Sequence, residues 1–171
     1  MVQDPSPALR REPAFDQNDA LVAVALLSAG AAVIHATVIQ AHLREWWLYG
    51  TFFVAAATLQ LIWTVLVLRR PSRTLLVVGA IGNATVVVLW LVTRVTGLPV
   101  GPEPWTPESI GLLDVAASIF EVVLAVTVVM MLRRGAVPER TKVRLERPQL
   151  AVFTGAVAAI TYLAVTGGGH H

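Results

Sequence analysis

Residues 110–132 read IGLLDVAASIFEVVLAVTVVMML, a long apolar stretch that contains two carboxylates, Asp114 and Glu121. A helix of about 20 apolar residues is long enough to span the hydrocarbon core of a bilayer. The stretch lacks the strict alternation of polar and apolar residues that a membrane β-strand needs. It therefore predicts a transmembrane helix, and the spacing of two helical turns places both carboxylates on one face.

Three further stretches of similar length precede this one, and a shorter one follows it. The predicted spans are residues 20–41, 47–68, 74–95, 110–132 and 150–165. The last is short enough to need its flanks, or a locally thinned bilayer, to cross. The expected fold is an all-α integral membrane helical bundle over residues 20–166, with four core transmembrane helices and a shorter fifth.

The composition of the 171-residue chain agrees with this assignment, because 56% of the residues are hydrophobic and only 14% are charged. Soluble domains carry about 25% charged residues. The absence of cysteine excludes disulfides, thiolate metal sites and cysteine nucleophiles. The basic residues flank apolar spans rather than forming one patch with interleaved aromatics, which argues against nucleic-acid binding. The expected surroundings are a lipid bilayer.

The distribution of Lys and Arg predicts the orientation, since basic residues in short loops stay on the cytoplasmic side. Eleven basic residues fall on one side if the N-terminus is cytoplasmic: Arg10, Arg11, Arg69, Arg70, Arg73, Arg133, Arg134, Arg140, Lys142, Arg144 and Arg147. Only Arg44 and Arg94 fall on the other. We therefore expect a multipass protein of the cytoplasmic membrane, with an extracytoplasmic C-terminus if the fifth segment spans and a cytoplasmic one if it lies on the surface.

The two ends of the chain differ from the spans. Residues 1–19 are rich in proline and acidic groups, unlike the short basic start of a signal peptide, and predict a flexible cytoplasmic tail. Residues 167–171 form a Gly/His tail, which is either native or an expression remnant.

The outer surface is marked by aromatic residues and by a loop. Trp46, Trp47 and Trp105 are predicted to anchor the protein at the interface. The loop at residues 96–109 is stiffened by prolines. Thr106 followed by Pro107 suits an N-cap and first helical position, which predicts that the fourth helix starts there.

Polar side chains inside the spans are costly in lipid and mark a candidate site. The predicted pocket comprises His35, His42, Gln60, Asn83, Arg94, Asp114 and Glu121. His35-x6-His42 on the first helix matches Asp114-x6-Glu121 on the antiparallel fourth. We expect an upper layer of His42, Asp114 and Arg94, and a lower layer of His35, Glu121, Gln60 and Asn83, both in the outer half of the bundle.

The pocket chemistry leaves several interpretations open. His and carboxylates are ligands for zinc, copper, iron or manganese, and His35 with Glu121 or His42 with Asp114 are the candidate ligands. His35 and His42 are about 10.5 Å apart along one helix, too far to hold one ion together. Haem with two His ligands is disfavoured, although a single ligand is allowed. Alternatively the groups bind protons, or they only lock helix packing, as do Gln60 and Asn83.

Several motifs between Ala32 and Glu121 carry a family resemblance. They are His35-x6-His42, Glu45-Trp46, Gly50-x-Phe52-Phe53-x3-Ala57-x2-Gln60-x2-Trp63, Gly82-Asn83, Trp90-x3-Arg94-x2-Gly97-Leu98-Pro99-x-Gly101-Pro102, Glu108, Asp114 and Glu121. In these positions the chain resembles small multipass membrane proteins of unassigned function from high-GC Gram-positive bacteria. The resemblance implies four or five membrane helices and no particular activity.

The sequence favours a non-enzymatic function, because it contains no serine–histidine–acid order, no H-E-x-x-H and no glycine-rich phosphate loop. The first hypothesis is an outward-facing His and carboxylate pocket that binds a metal ion or protons. The alternatives are an accessory or scaffold subunit of a larger membrane complex and a haem-binding membrane protein. A membrane-protein partner or a homo-oligomer is compatible with each.

Overall fold

The computed structural model describes residues 17–135 together with residues 143, 148–149, 151, 154–155, 158–159 and 162. The chain folds into four long helices in this part: α1 (Gln17–Glu45), α2 (Trp47–Arg69), α3 (Arg73–Val95) and α4 (Leu112–Arg133). All four are long and apolar enough to cross a membrane. The predicted all-α class with four core helices is therefore confirmed.

The helix boundaries correct the sequence-based ones in two places. Helix α1 is longer than residues 20–41 at both ends and takes in the last three residues of the predicted tail. Helix α4 begins at Leu112 after an N-cap at Gly111, so the predicted start at Thr106 is wrong. The reason is that residues 106–111 serve the loop: the Glu108 amide donates to the Thr93 carbonyl at 3.0 Å. The fifth span at 150–165 falls largely, and the segments 1–16 and 163–171 wholly, outside the described residues.

The four helices form a ring in which neighbours differ in how closely they pack. Helix α1 packs along α2 and α4, and α3 packs along α4. Helices α2 and α3, although joined by the shortest connection after the α1–α2 turn, contact each other least. The bundle therefore has a looser side between α2 and α3.

One end of the bundle, here called the basic end, carries Arg69, Arg70, Arg73, Arg133 and Arg134. The half of the bundle next to it has an apolar core. That core comprises Ala20, Leu21, Val24, Ala25, Trp63, Val67, Leu76, Ala80, Leu124, Val128 and Met131.

Two local features fix α3 at the basic end. The Ser72 hydroxyl caps the helix by accepting from the Leu75 amide at 3.2 Å. The Trp63 indole crosses α3 at Gly79 and donates to the Leu75 carbonyl at 2.7 Å. A Cβ at Gly79 would lie inside the Trp63 ring, so only glycine permits this approach.

The opposite end, here called the capped end, is covered by residues 96–111. The Tyr49 hydroxyl donates to the Val100 carbonyl at 3.0 Å, and the Trp105 amide donates to the Leu98 carbonyl at 2.7 Å. Gly101, at φ 115°, lies against the Tyr49 hydroxyl, where a side chain would not fit. The loop that prolines were predicted to stiffen is thus also held by contacts with α2 and α3.

The outward surfaces of the helices are apolar. Val78, Ile81 and Val88 on α3 are 58 to 62% exposed, and α2 and α4 present similar faces. Apolar area of this extent is stable only against lipid or another protein. The four helices therefore indicate a membrane protein.

Candidate functional site

The centre of the site is a contact between α1 and α4. His35 Nε2 lies 3.0 Å from Glu121 Oε1, and both side chains are at least 94% buried. At about 1.5 Å per residue, His35 lies roughly 15 Å and Glu121 roughly 14 Å from the capped ends of their helices. The two predicted lower-layer groups are thus at the same depth and share a hydrogen bond.

Amide side chains extend this contact to the other two helices. Gln60 Nε2 on α2 donates to Glu121 Oε1 at 2.8 Å and lies 3.2 Å from Asn83 Oδ1 on α3. Asn83 Nδ2 donates to the Gly79 carbonyl at 2.8 Å. The lower layer predicted from the sequence is therefore one hydrogen-bonded network with a member on every helix. We call His35, Gln60, Asn83 and Glu121 the inner network.

Nearer the capped end, Arg94 forms the centre of a second cluster. Its guanidinium donates to Asp114 Oδ2 at 2.6 Å, to Thr93 Oγ1 at 3.0 Å and to Glu108 Oε2. The Arg94 side chain is only 10% exposed, whereas those of Asp114 and Glu108 are 24% and 37% exposed. Because one guanidinium faces two carboxylates, the cluster carries an excess of negative charge.

The remaining predicted residue, His42, takes a different partner from the one expected. Its Nδ1 bonds the Val38 carbonyl on the preceding turn at 2.9 Å, and its ring packs on Phe53 with centroids 4.3 Å apart. Phe53 also packs on His35 at 5.5 Å. The two histidines of α1 are therefore bridged by one aromatic ring.

A cavity of about 290 Å³ lies between the inner network and the Arg94 cluster. Its walls are mainly apolar and aromatic, and its polar lining includes His35, His42, Arg94, Asp114 and Glu121. A second cavity, of about 390 Å³, lies under the loop and shares His42, Tyr49, Arg94 and Asp114 with the first. The two cavities are therefore adjacent, the first beside the inner network and the second under the loop.

The described residues do not supply the set of ligands that a metal site would need. Among the described residues, no three His, Asp or Glu side chains come together in a way that could hold a metal ion. His35 and Glu121 instead use the facing atoms on each other. The arrangement is suited to holding a proton between a nitrogen and an oxygen.

The tryptophans predicted as interface anchors have unequal environments. Trp47 and Trp105 are 64% and 65% exposed, as anchors would be. Trp46 is partly buried, packs edge-on against Tyr49 with centroids 5.1 Å apart and lines the cavity.

Several cavity and cluster residues were not among the predicted site residues, including Phe53, Trp90 and Glu108. Glu108 follows Thr106 and Pro107, where the fourth helix was predicted to start, and its position shortly after the end of α3 was a signal that it could reach Arg94. Phe53 and Trp90 share helix faces with Gln60 and Arg94, but an aromatic residue in an apolar helix resembles ordinary core.

Comparison with protein-family models, with curated proteins and with solved structures finds no match for the chain. The geometry of the site therefore carries the functional argument alone.

Proposed function

We propose that the protein is a multipass protein of the cytoplasmic membrane whose His35–Glu121 pair binds and releases a proton at the floor of a cavity facing outward. The observation that carries the proposal is the 3.0 Å contact between two buried ionisable groups that both line the cavity. Intramembrane ionisable groups of this kind usually serve a function, because they are costly in lipid.

Charge arithmetic supports a single exchangeable proton. When a proton is added to neutral imidazole and ionised carboxylate, the pair becomes neutral overall. It is then either imidazolium with carboxylate or imidazole with carboxylic acid. Without it, one buried negative charge remains, and the N–H donors of His35 and Gln60 stabilise that charge. The network can therefore hold the pair in both states without unfolding the bundle.

Other charged groups around the pair are few. On α1 the nearest titratable side chain is His42, on α3 it is Arg94, and on α4 it is Asp114; from the loop, Glu108 reaches the same cavity. Helix α2 contributes Gln60 and, near the capped end, Tyr49. Because Arg94 is already paired with two carboxylates, the proposal assigns the exchangeable proton to the His35–Glu121 pair.

The orientation part of the proposal follows from the arginines. The basic end concentrates five arginines of the described chain, and basic residues favour the cytoplasmic side. The capped end, with its cavities, then faces outward.

A scaffold function is the second candidate, and a specific observation favours it. The inner network and the bond from the Ser28 hydroxyl to the Gln60 carbonyl, 3.1 Å long, tie all four helices together. Interhelical hydrogen bonds in membranes stabilise packing by about 0.6 kcal/mol on average. In this case the same residues would only fix the bundle for assembly with a partner.

Infrared difference spectroscopy of the protein in lipid nanodiscs separates the two candidates. Spectra are compared between about pH 5 and about pH 8, the range in which an imidazole normally titrates. We expect carboxyl and imidazole bands that change with pH in the wild type. Glu121→Gln should abolish the carboxyl change, while Asp114→Asn, the matched acidic variant in the outer cluster, should retain the Glu121 signal.

The scaffold function would instead give no Glu121 signal in a folded wild-type protein across this pH range. Glu121→Gln would then lower thermal stability and leave the spectra unchanged. Circular dichroism of each variant confirms that its helices are intact, so an unfolded variant is not mistaken for a silent one.

A further inference from the structure

The cavity between the inner network and the Arg94 cluster has properties beyond those a proton requires. Its volume of about 290 Å³ is close to the lower end of the range for small-molecule sites, about 300 Å³. A proton needs no such space. We propose that this cavity binds the ring of a membrane-soluble quinone, an inference that rests on the proposed function because the His35–Glu121 pair forms its inner polar contact.

Aromatic side chains supply the walls for a flat ring. Phe53 and Tyr49 on α2 and Trp90 on α3 line the cavity, together with the aliphatic side chains of Val86 and Leu89. Aromatic rings pack on other rings in offset or edge-on arrangements that add to the burial of apolar area. A planar ligand ring is therefore a better match than a flexible acyl chain.

The charges around the cavity favour an uncharged ligand. Arg94 is the one cation of fixed charge in the lining, and it is paired with Glu108 and Asp114. Anions such as a phosphate headgroup would meet an excess of carboxylates and no free cation in this lining. A neutral quinone avoids this repulsion.

The polar atoms match the acceptors and donors of a quinone and its reduced form. Trp90 Nε1 is buried and has no hydrogen-bond partner. An indole N–H without an acceptor is unfavourable, and Trp90 lines the cavity, so a ligand carbonyl bound there would offer it an acceptor. At the other end, His35 and Glu121 can donate to a carbonyl or accept from a hydroxyl.

The route of entry follows from the packing of the helices. Of the neighbouring helices, α2 and α3 contact each other least, and their cavity-lining residues Phe52, Phe53, Leu89 and Trp90 are only partly buried. We place the entrance between these helices, at the depth of the lipid tails. A quinone dissolved in the bilayer would reach the cavity without crossing the interface.

The test is binding of a short-chain benzoquinone and a short-chain naphthoquinone to the full chain in nanodiscs made without quinone. Bound probe is separated by size exclusion and measured by absorbance, with empty nanodiscs as the blank. We expect saturable binding above the blank. Val86→Phe, which fills the cavity, should reduce it more than tenfold, while Val88→Phe on the lipid-facing side of α3 should not.

A second variant tests the polar contact. Trp90→Phe keeps an aromatic wall and removes the N–H donor, and it should weaken binding about tenfold. Probe retention equal to that of empty nanodiscs, or equal retention by wild type and Val86→Phe, would overturn the inference. So would a phospholipid that native mass spectra show bound to the wild type and absent from Val86→Phe.

Failure of this inference is distinguishable from failure of the proposed function. The infrared pH difference is recorded without quinone, so a Glu121 signal in a protein that binds no probe overturns the quinone site alone. Probe binding without any Glu121 signal overturns the proton site, and with it the inner contact assigned to the quinone.

Discussion

The two halves of the bundle differ in the side chains that fill the space between the helices. Next to the basic end, Val67, Leu76, Leu124 and Val128 are completely buried and form a continuous apolar core. Next to the capped end, the same four helices enclose the inner network, the Arg94 cluster and a cavity. A bundle built only for stability would be expected to extend the apolar core through both halves.

The difference indicates a division of tasks along the helix axis. The apolar half holds the helices together by close packing, which leaves the polar half free to carry costly groups and an unfilled volume. Variants that disturb the first half should therefore cost the most stability, while variants in the second should cost less and should also change what the bundle binds.

The largest effect is expected from Gly79→Leu in the apolar half. The new side chain would overlap the Trp63 ring, and overpacking of this kind costs about 3 kcal/mol or more of unfolding free energy. Gly82→Leu is the matched control, since nothing lies within 4 Å of a Cβ at that position. Equilibrium unfolding in mixed micelles measures both. Equal stability of the two variants would contradict the close packing of Trp63 on α3.

A smaller effect is expected from breaking the inner network. Glu121→Ala leaves His35 and Gln60 without their shared acceptor, which should cost about 2 kcal/mol of unfolding free energy. In a double-mutant cycle, His35→Ala and Glu121→Ala should show a coupling of at least about 0.5 kcal/mol. Val122→Ala, on the lipid-facing side of α4, serves as the control. Additive effects would show that the two groups do not interact.

Breaking the Arg94 cluster should lower the free energy of unfolding by about 1.5 kcal/mol. This is less than for a fully buried pair, because Glu108 is partly exposed. Arg94→Leu leaves Glu108 and Asp114 without their common partner. We expect faster amide hydrogen exchange in residues 96–111 and unchanged exchange in the apolar half. Arg44→Leu, at an exposed position, is the control. Equal amide hydrogen exchange of residues 96–111 in the two variants would show that Arg94 does not hold the loop in place.

The smallest effect is expected from the helix cap at the basic end. Ser72→Ala removes the acceptor for the Leu75 amide and should cost about 1 kcal/mol. Thr74→Ala, on the exposed first turn of the same helix, should cost less. A Ser72→Ala variant as stable as Thr74→Ala would mean that the cap contributes nothing measurable.

The sequence was sufficient for the fold but only partly for the site. Long apolar stretches predict helices because backbone groups in lipid must be satisfied within the segment. The depth of His35 and Glu121 follows from antiparallel helices of known length, since the rise per residue is constant. Both inferences use only local periodicity.

Features that depend on how neighbouring helices are spaced and rotated could not be predicted from local periodicity. The cavity is lined by residues of α2 and α3, two neighbouring helices that contact each other little, and no local pattern reports that spacing. The predicted start of α4 was wrong because Thr106 and Pro107 fit a helix cap locally. In the structure, tertiary contacts of Glu108 with Arg94 and Thr93 hold the segment in the loop. The Phe53 ring between the two histidines likewise depends on the rotation of α2 about its axis.

The contact between His35 and Glu121 is tested most directly by solid-state nuclear magnetic resonance in bilayers, with nitrogen label in the His35 ring and carbon label in the Glu121 carboxyl group. We predict a measurable dipolar coupling between His35 Nε2 and the Glu121 carboxyl carbon, because the 3.0 Å contact from nitrogen to oxygen places the carbon bonded to that oxygen close to the nitrogen. An imidazole that shows no coupling to this carbon and contacts lipid acyl chains instead would contradict this prediction.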